Sequence, residues 1–445
     1  LDWDATPGDV LEFFDRVRCE HFLTNSPPPV SGDQKHEPSN FYQEDYLAPR
    51  RKAYPVDLRG PDKLSIVAVV QRSSILFPGV ITDSPDACGF IRGLLPLESL
   101  AKSGEFDFTI VGPDQVTDYI ADLFFTQRTA IESADIAKDI ITHCRDVGMK
   151  TVFDIDDDLL GIAPDHPEYE LYRQQLSGAF QFATQSDLLF VSTETLKRRM
   201  QKWNANIAVI PNALDSAIWD LSADVPNVSR GSRSDPVRVL YMGTMTHAAD
   251  LQLIEPAIRR LNAEFGKRFQ FDIVGVTASV ARPDWYGYVD IPPAVSESYP
   301  AFVTWLQSVN TWHIGVAPLV NSKFNDAKSG IKYLDYAALG LAVVCSDIQG
   351  YREIVDSEED GLLVENTEDA WYAALRRLIV DQEFREQLQR NAMKKVYDKH
   401  LLTTLVKQRV SSLKALLRKA GESTIRRPWL LEEKSQEKPT RESIA

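Results

Sequence analysis

The chain has 445 residues, of which 44% are apolar and 25% are charged, as in an ordinary folded protein. The chain is longer than a domain with a single hydrophobic core usually is, so we expect two domains. The net charge of −15 excludes a general nucleic-acid binder, because such a protein needs a basic face to displace counterions from phosphates. No run of residues reaches the roughly 18 apolar positions of a membrane-spanning helix.

The N-terminal region is predicted to be an extended arm. One amphipathic stretch, Val10 to Phe22, is followed by a segment rich in Pro, Ser and charge from Asn25 to Arg59. The chain opens without an initiator Met or a signal-like segment, so we expect a piece of a longer protein with further domains. The four cysteines lack the spacing of a metal site or a disulfide framework, which favours reduced thiols in a cytoplasmic protein.

Two series of alternating strand and helix patterns follow the arm. Short β-branched runs such as Ser65 to Val70 alternate with helical patterns such as Asp135 to Val147, which predicts an α/β protein with doubly wound parallel sheets. Ligands of such sheets bind at the carboxyl ends of the strands, so we expect the site in the cleft between two domains. The predicted parts are an arm at 1–62, a first domain at 63–215, a linker at 216–235, a second domain at 236–420 and a tail at 421–445.

The most informative segment is a predicted helix start at Ser329 and Gly330, directly after a strand. Free backbone N–H groups at a helix start and the helix dipole together bind phosphate groups. Lys328 and Lys332 add positive charge, and Asp335 on the same face can accept hydrogen bonds from ribose hydroxyls. A surface helix with a lysine pair and a solvated Asp explains the same residues, and the pattern alone leaves both interpretations open.

Three segments resemble glycosyltransferases of the GT-B fold and family 4 type. They are Lys-Ser-Gly-Ile-Lys-Tyr-Leu-Asp-Tyr-Ala-Ala-Leu-Gly at 328–340, Ile-Pro-Asn-Ala-Leu-Asp at 210–215 and Asp-Gly-Leu-Leu-Val at 360–364. The likeness covers about residues 64–420 and is greatest to enzymes of bacterial surface-polysaccharide assembly, including rhamnosyltransferases. It implies a GT-B fold of two Rossmann-like domains, with the acceptor on the first domain and the nucleotide sugar on the second.

The resemblance also implies which residues bind the donor, and it shows two departures from the family pattern. The first acid of the family's Glu-seven-Glu motif is replaced by Ala327, and the Arg and Lys pair of the Gly-rich loop after Gly243 is absent. We therefore expect Lys328 and Lys332, with Arg92 or Arg128, to neutralise the diphosphate. The implied donor-binding residues are Gly243, Thr244, Lys328, Ser329, Gly330, Ile331, Lys332 and Asp335.

Other candidate residues each have a structural explanation beside a functional one. Asp156 and Asp157 follow a strand and fit loop capping, a metal site or a catalytic base that faces the acceptor. His247 fits an acid/base or phosphate contact, and it equally fits a polar loop residue. Arg128 and Arg92 fit an acceptor or phosphate contact, and Arg128 also fits a surface ion pair.

The implied reaction transfers a hexosyl or deoxyhexosyl unit from a nucleoside diphosphate sugar to a hydroxyl of a glycan or lipid-linked glycan. The resemblance implies a retaining reaction in O-antigen, capsule or S-layer glycan synthesis, with no metal ion or other cofactor required. Asp156, Asp157, His247 and Lys332 are the candidate catalytic residues. Two alternatives remain: a nucleotide-sugar epimerase of the same fold, and a non-catalytic nucleotide-sugar-binding module of a larger protein.

The C-terminal end of the chain is basic, with Lys414, Arg418, Lys419, Arg426 and Arg427 in and after the last predicted helix. A peripheral contact at the cytoplasmic face of the inner membrane accounts for this composition, and so does a solvated helix end. The sequence leaves both open.

Overall fold

The computed structural model of the chain describes two α/β domains, each built on a six-stranded sheet in which every strand pairing is parallel. The predicted tail, most of the predicted arm and linker, Thr244 and His247 lie outside the described residues. The described residues are 55–72, 85–162, 164, 169–221, 236–243, 248–275, 284–296 and 298–421.

The first domain forms its sheet in the order β3-β2-β5-β6-β7-β8, and the short strands β1 and β4 pair separately. Strand β6 is buried almost throughout because helices cover both faces of the sheet. The strands are β1 (Val56–Asp57), β2 (Leu64–Val69), β3 (Phe106–Ile110), β4 (Tyr119–Ile120), β5 (Leu123–Gln127), β6 (Lys150–Ile155), β7 (Leu188–Val191) and β8 (Ile207–Val209). The helices are α1 (Leu95–Lys102), which follows a π-helical turn (Gly89–Leu94), α2 (Ala134–Val147), α3 (Tyr169–Gln185) and α4 (Glu194–Met200).

The second domain forms its sheet in the order β11-β10-β9-β12-β13-β14. Its strands are β9 (Val237–Met242), β10 (Phe269–Val274), β11 (Gly287–Val289), β12 (Ile314–Ala317), β13 (Ala342–Ser346) and β14 (Leu362–Val364). The helices are α5 (Ala248–Phe265), α6 (Pro293–Ser296), α7 (Tyr299–Ser308), α8 (Lys323–Asp326), α9 (Ile331–Ala338), α10 (Gln349–Arg352), α11 (Glu368–Val380), α12 (Gln382–Lys399) and α13 (Leu402–Gly421).

Local sequence signals explain where several helices begin and end. The Ser133 side chain accepts a hydrogen bond from the backbone N–H of Ile136 and so caps the start of α2. Gly148 ends the same helix at φ 78°, a left-handed conformation that favours glycine. Thr193 caps α4 and Thr367 caps α11 in the same way as Ser133.

The last helix, α13, returns to the first domain. Its buried residues Leu413, Leu416 and Leu417 belong to the apolar cluster that includes Leu97 and Leu100 of α1. Sequence order placed this helix in the second domain, and its packing corrects that assignment, because its apolar face completes the layer that covers the first sheet.

The chain therefore crosses between the domains twice, and the two crossings are bonded to each other. The backbone N–H of Leu214 donates to the carbonyl of His400 at 2.9 Å, and the N–H of Leu402 donates to the carbonyl of Leu214 at 2.9 Å. The two stretches of chain at this paired crossing connect the two sheets covalently.

We predict that Leu413→Ala lowers the free energy of unfolding by about 2 to 4 kcal/mol, because truncation leaves a cavity between α13 and the first sheet. Urea denaturation monitored by tryptophan fluorescence measures the change. Ser411→Ala, at an exposed position of the same helix, is the matched control. Equal stability of the two variants would show that α13 contributes nothing to the first domain.

Candidate active site

The second sheet reverses its strand order between β9 and β12, and ligands of doubly wound sheets bind at the carboxyl ends of the strands at such a point. Strand β9 ends at Met242 and β12 ends at Ala317. The backbone N–H of Met242 donates to the hydroxyl of Tyr336 on α9 at 2.8 Å. This bond fixes α9 against the strand ends, so that the start of the helix faces the cleft.

Two glycines allow the loop before α9 to approach its neighbours closely. A Cβ on Gly330, the residue that caps α9, would lie 2.5 Å from Cγ2 of Ile354. A Cβ on Gly350 would lie 2.3 Å from the backbone oxygen of Lys328. Neither position has room for a side chain, so both glycines are required for the observed path of the backbone.

Two charged side chains of α9 each have a buried atom that lacks a hydrogen-bond partner among the residues described. The Nζ atom of Lys332 is buried and lies 5.2 Å from the ring centroid of Tyr241, and one carboxylate oxygen of Asp335 is also buried. Burial, and next the positive charge of Lys328, lower the pKa of Lys332 to about 7. Burial raises the pKa of Asp335 to about 7. Buried polar groups without partners destabilise a fold, so this pair is suited to a ligand that supplies an anion and hydroxyl groups.

The other predicted donor residues lie around this pair. Ser329 and Ile331 flank the glycine that caps α9, and the Ser329 hydroxyl accepts a hydrogen bond from the Asn212 amide at 2.7 Å. Lys328 lies over the ring of Phe324 at 5.3 Å. Gly243 follows β9, and its N–H donates to Val274 at 3.2 Å. The roles of Thr244 and His247 stay predictions, since both lie outside the described residues.

A second cleft, of about 460 Å³, lies in the first domain at the carboxyl ends of β2 and β5. Arg128 lines it and has φ 45°, a left-handed conformation that is costly for a residue with a side chain. Its guanidinium donates to Asp156 at 2.5 Å, to Asp157 at 3.2 Å and to the Tyr172 hydroxyl at 3.3 Å. The structure places Arg128 at the carboxyl ends of the first sheet, and its contact with an acceptor stays a prediction.

Asp156 is less suited to act as the predicted base. Burial alone would raise its pKa, but the positive charges of Arg128 and Arg92 hold the pKa of Asp156 below its usual value. A general base works best when its pKa lies near the operating pH. The contacts of Asp156 instead orient Arg128, and Asp157 shares that role with a weaker contact.

Arg92 does not reach either cleft, which corrects the prediction that it binds acceptor or phosphate. Its side chain is 1% exposed, and two of its nitrogens donate to Asp154 at 2.8 and 2.9 Å. A third nitrogen donates to the carbonyl of Ile210 at 2.7 Å and to Asn212 at 3.1 Å. With these partners Arg92 joins β6 to the crossing between the domains.

Sequence reasoning missed three residues that organise the two clefts. Asp154 and Asp158, at the ends of the acidic run, bind Arg92 and Arg199. Glu353 reaches from the second domain to the start of α4 in the first. The acidic run was visible in the sequence, but its cationic partners are distant in the chain and carry no local signal.

The fold matches that of known structures of one fold class. Sucrose-phosphate synthase from Thermosynechococcus elongatus superposes with a TM-score of 0.56 and 15% identity, over 80% of this chain and 100% of that chain. HepE of Anabaena in complex with UDP-glucose superposes with a TM-score of 0.54 and 10% identity, over 79% and 100%. A glycosyltransferase from Rickettsia africae gives a TM-score of 0.51 and 13% identity, over 80% and 99%. The chain has the GT-B fold.

The second domain also matches a sequence family. Residues 236–381 match the family described as glycosyl transferases group 1. No curated protein is similar enough in sequence to match the chain. The family match in the second domain and the GT-B fold of the whole chain support a GT-B glycosyltransferase.

None of the described helices combines the length and the apolar composition that crossing a membrane requires.

We predict that Lys332→Met stabilises the ligand-free protein by about 1 to 3 kcal/mol at neutral pH, because it removes a buried ammonium that has no hydrogen-bond partner among the described residues. The folded-state pKa of Lys332 is about 7, below its unfolded value, so the unfolded chain binds more protons above pH 7. The wild type therefore gains stability as pH rises from there, and the advantage of the variant shrinks.

Urea denaturation of both proteins at about pH 7 and about pH 9.5 measures this difference in slope. Lys267→Met, at an exposed position of the same domain, is the control for the loss of one charge. Parallel pH dependences of the wild type and Lys332→Met would contradict the assignment of Lys332 as a buried, partly neutral amine.

Proposed function

We propose that this protein transfers a hexosyl or deoxyhexosyl unit from a nucleoside diphosphate sugar to a hydroxyl group of a glycan. The observation that carries the proposal is on α9, beside a helix start at the switch point of the second sheet. The Nζ atom of Lys332 and one carboxylate oxygen of Asp335 are buried there without a hydrogen-bond partner among the described residues. A diphosphate would supply the anion for Lys332. Ribose hydroxyls would donate to the carboxylate of Asp335.

The departing diphosphate is stabilised by fixed groups of this chain. The backbone N–H groups at the start of α9 and the charges of Lys328 and Lys332 face the position where negative charge develops. With this support we propose a reaction that needs no metal ion. In a retaining reaction the leaving phosphate accepts the proton of the acceptor hydroxyl, so no side-chain base is needed, which fits the low pKa of Asp156.

The acceptor is proposed to bind in the cleft beside Arg128. Hydrogen-bonding side chains line this cleft, among them Gln71, Thr129, Tyr172 and Gln175. Such groups suit the hydroxyls of a sugar, and backbone strain at Arg128 is typical of a functional position. The resemblance to enzymes of bacterial surface-polysaccharide assembly supports a glycan or lipid-linked glycan acceptor and a cytoplasmic protein, with a peripheral contact at the inner membrane.

HepE was crystallised with UDP-glucose, and this neighbour supports a nucleotide sugar as the donor class here. A thermal-shift panel of UDP, GDP, ADP and dTDP identifies the base, because a ligand that binds the native state raises its stability. The matching nucleotide sugars are then incubated with and without glycan acceptors, and products are separated by mass.

We predict that Lys332→Ala abolishes the thermal shift with the selected diphosphate and reduces turnover at least about a hundredfold, because a phosphate-neutralising charge is lost from a water-poor site. Lys267→Ala, at an exposed position of the same domain, is expected to keep both. A Lys332→Ala enzyme with wild-type turnover would rule out the proposed donor site.

An epimerase of the same fold is the second candidate, and it would convert the nucleotide sugar without an acceptor. Product formed from donor alone, as an isomer of equal mass, would support it over a transferase. Diphosphate binding without turnover under any condition would support a non-catalytic module, for which the loss of the family's first acid at Ala327 is the motivating feature.

A further inference from the structure

A carboxylate of the second domain occupies the start of a helix in the first domain. Glu353 accepts three hydrogen bonds across the cleft: from the N–H of Glu194 at 2.9 Å, from the N–H of Thr195 at 3.0 Å and from the Thr195 hydroxyl at 2.7 Å. The first N–H groups of a helix have no partner within the helix, and a negative charge there is favourable. Glu353 therefore acts as a helix cap supplied by the other domain.

Two further contacts join the same surfaces. The Arg199 guanidinium donates to Asp158 at 2.7 Å and also to the backbone carbonyl of Lys323 in the second domain. The Thr193 hydroxyl donates to the carbonyl of Ala327 at 3.1 Å. We call the contacts of Glu353, Arg199 and Thr193 the interdomain latch.

The latch joins segments that lead to each of the two clefts. On the side of the second domain it holds residues 323–327, which lead directly into the start of α9, and Phe324 packs into the apolar core of the first domain. On the side of the first domain it holds Asp158, two residues after Asp156, which binds Arg128. The Ser192 hydroxyl, next to Thr193, donates to the carbonyl of Asp156 at 2.6 Å.

We propose that the interdomain latch positions the start of α9 against the acceptor cleft, and that Glu353 and Arg199 are positioning residues for the transfer reaction. This inference rests on the proposed function for its catalytic part. Glu353 is exposed, so its bonds compete with water and the latch can open for donor entry and product release. Donor binding then favours the closed latch, and the closed latch favours donor binding, because both hold residues 323–331 in place.

The first test is hydrogen–deuterium exchange of the whole protein without ligand, comparing wild type with Glu353→Gln. In Glu353→Gln an NH₂ group replaces one carboxylate oxygen. This group cannot accept a hydrogen bond from a backbone N–H, so the latch loses at least one bond. Exchange of the Glu194 and Thr195 amides is expected to accelerate about tenfold. Glu359→Gln, at an exposed position of the same domain, is the matched control. Unchanged protection at these two amides would overturn the latch.

The second test separates positioning from folding by steady-state kinetics with the nucleotide sugar found active. For Glu353→Gln and Arg199→Lys we expect KM for the donor to rise about five- to tenfold. The unfolding midpoint of Glu353→Gln is expected to stay unchanged, because Glu353 is exposed. Glu353→Asp, which keeps the carboxylate, is expected to restore part of the loss. Faster exchange with an unchanged donor KM would overturn the positioning role.

The two proposals fail in different ways. A wild-type protein without transfer activity, in which Glu353→Gln still accelerates exchange at Glu194 and Thr195, would overturn the proposed function and support the latch. An active wild type in which neither exchange nor KM responds to the substitution would overturn the latch and leave the proposed function supported.

Discussion

The arrangement of both clefts depends on the need to pair the buried carboxylates that follow β6. Removing a carboxylate from water is costly unless a cation and hydrogen bonds replace the solvent. Asp154, Asp156 and Asp158 meet this requirement with arginines from separate parts of the chain: Arg92 before α1, Arg128 after β5, Arg199 in α4 and Arg409 in α13. One short segment thereby fixes four elements of the first domain and, through Asn212 and Lys323, the second domain.

The proposed donor side differs from this arrangement. There the Nζ atom of Lys332 and one carboxylate oxygen of Asp335 are buried without hydrogen-bond partners among the described residues. A site of this kind lowers the stability of the free protein and regains it when a ligand arrives, so part of the binding free energy comes from relieving an existing penalty.

The alternation of strand and helix predicted both doubly wound domains, because that pattern depends on local periodicity. The helix start at Ser329 and Gly330 was predictable for the same reason. The roles of Arg92 and Asp156 were not, since each depends on a partner tens of residues away that only the folded chain brings close. Strand β11 was also missed, because its three residues lie in a segment that reads as loop.

The paired crossing at Leu214 and Leu402 limits how the two domains can move relative to each other. Because two stretches of chain pass between the domains side by side and are bonded to each other, the domains can rotate about that line more easily than they can twist or slide apart. Closing by rotation about that line would return residues 323–331 to the same place relative to the first domain.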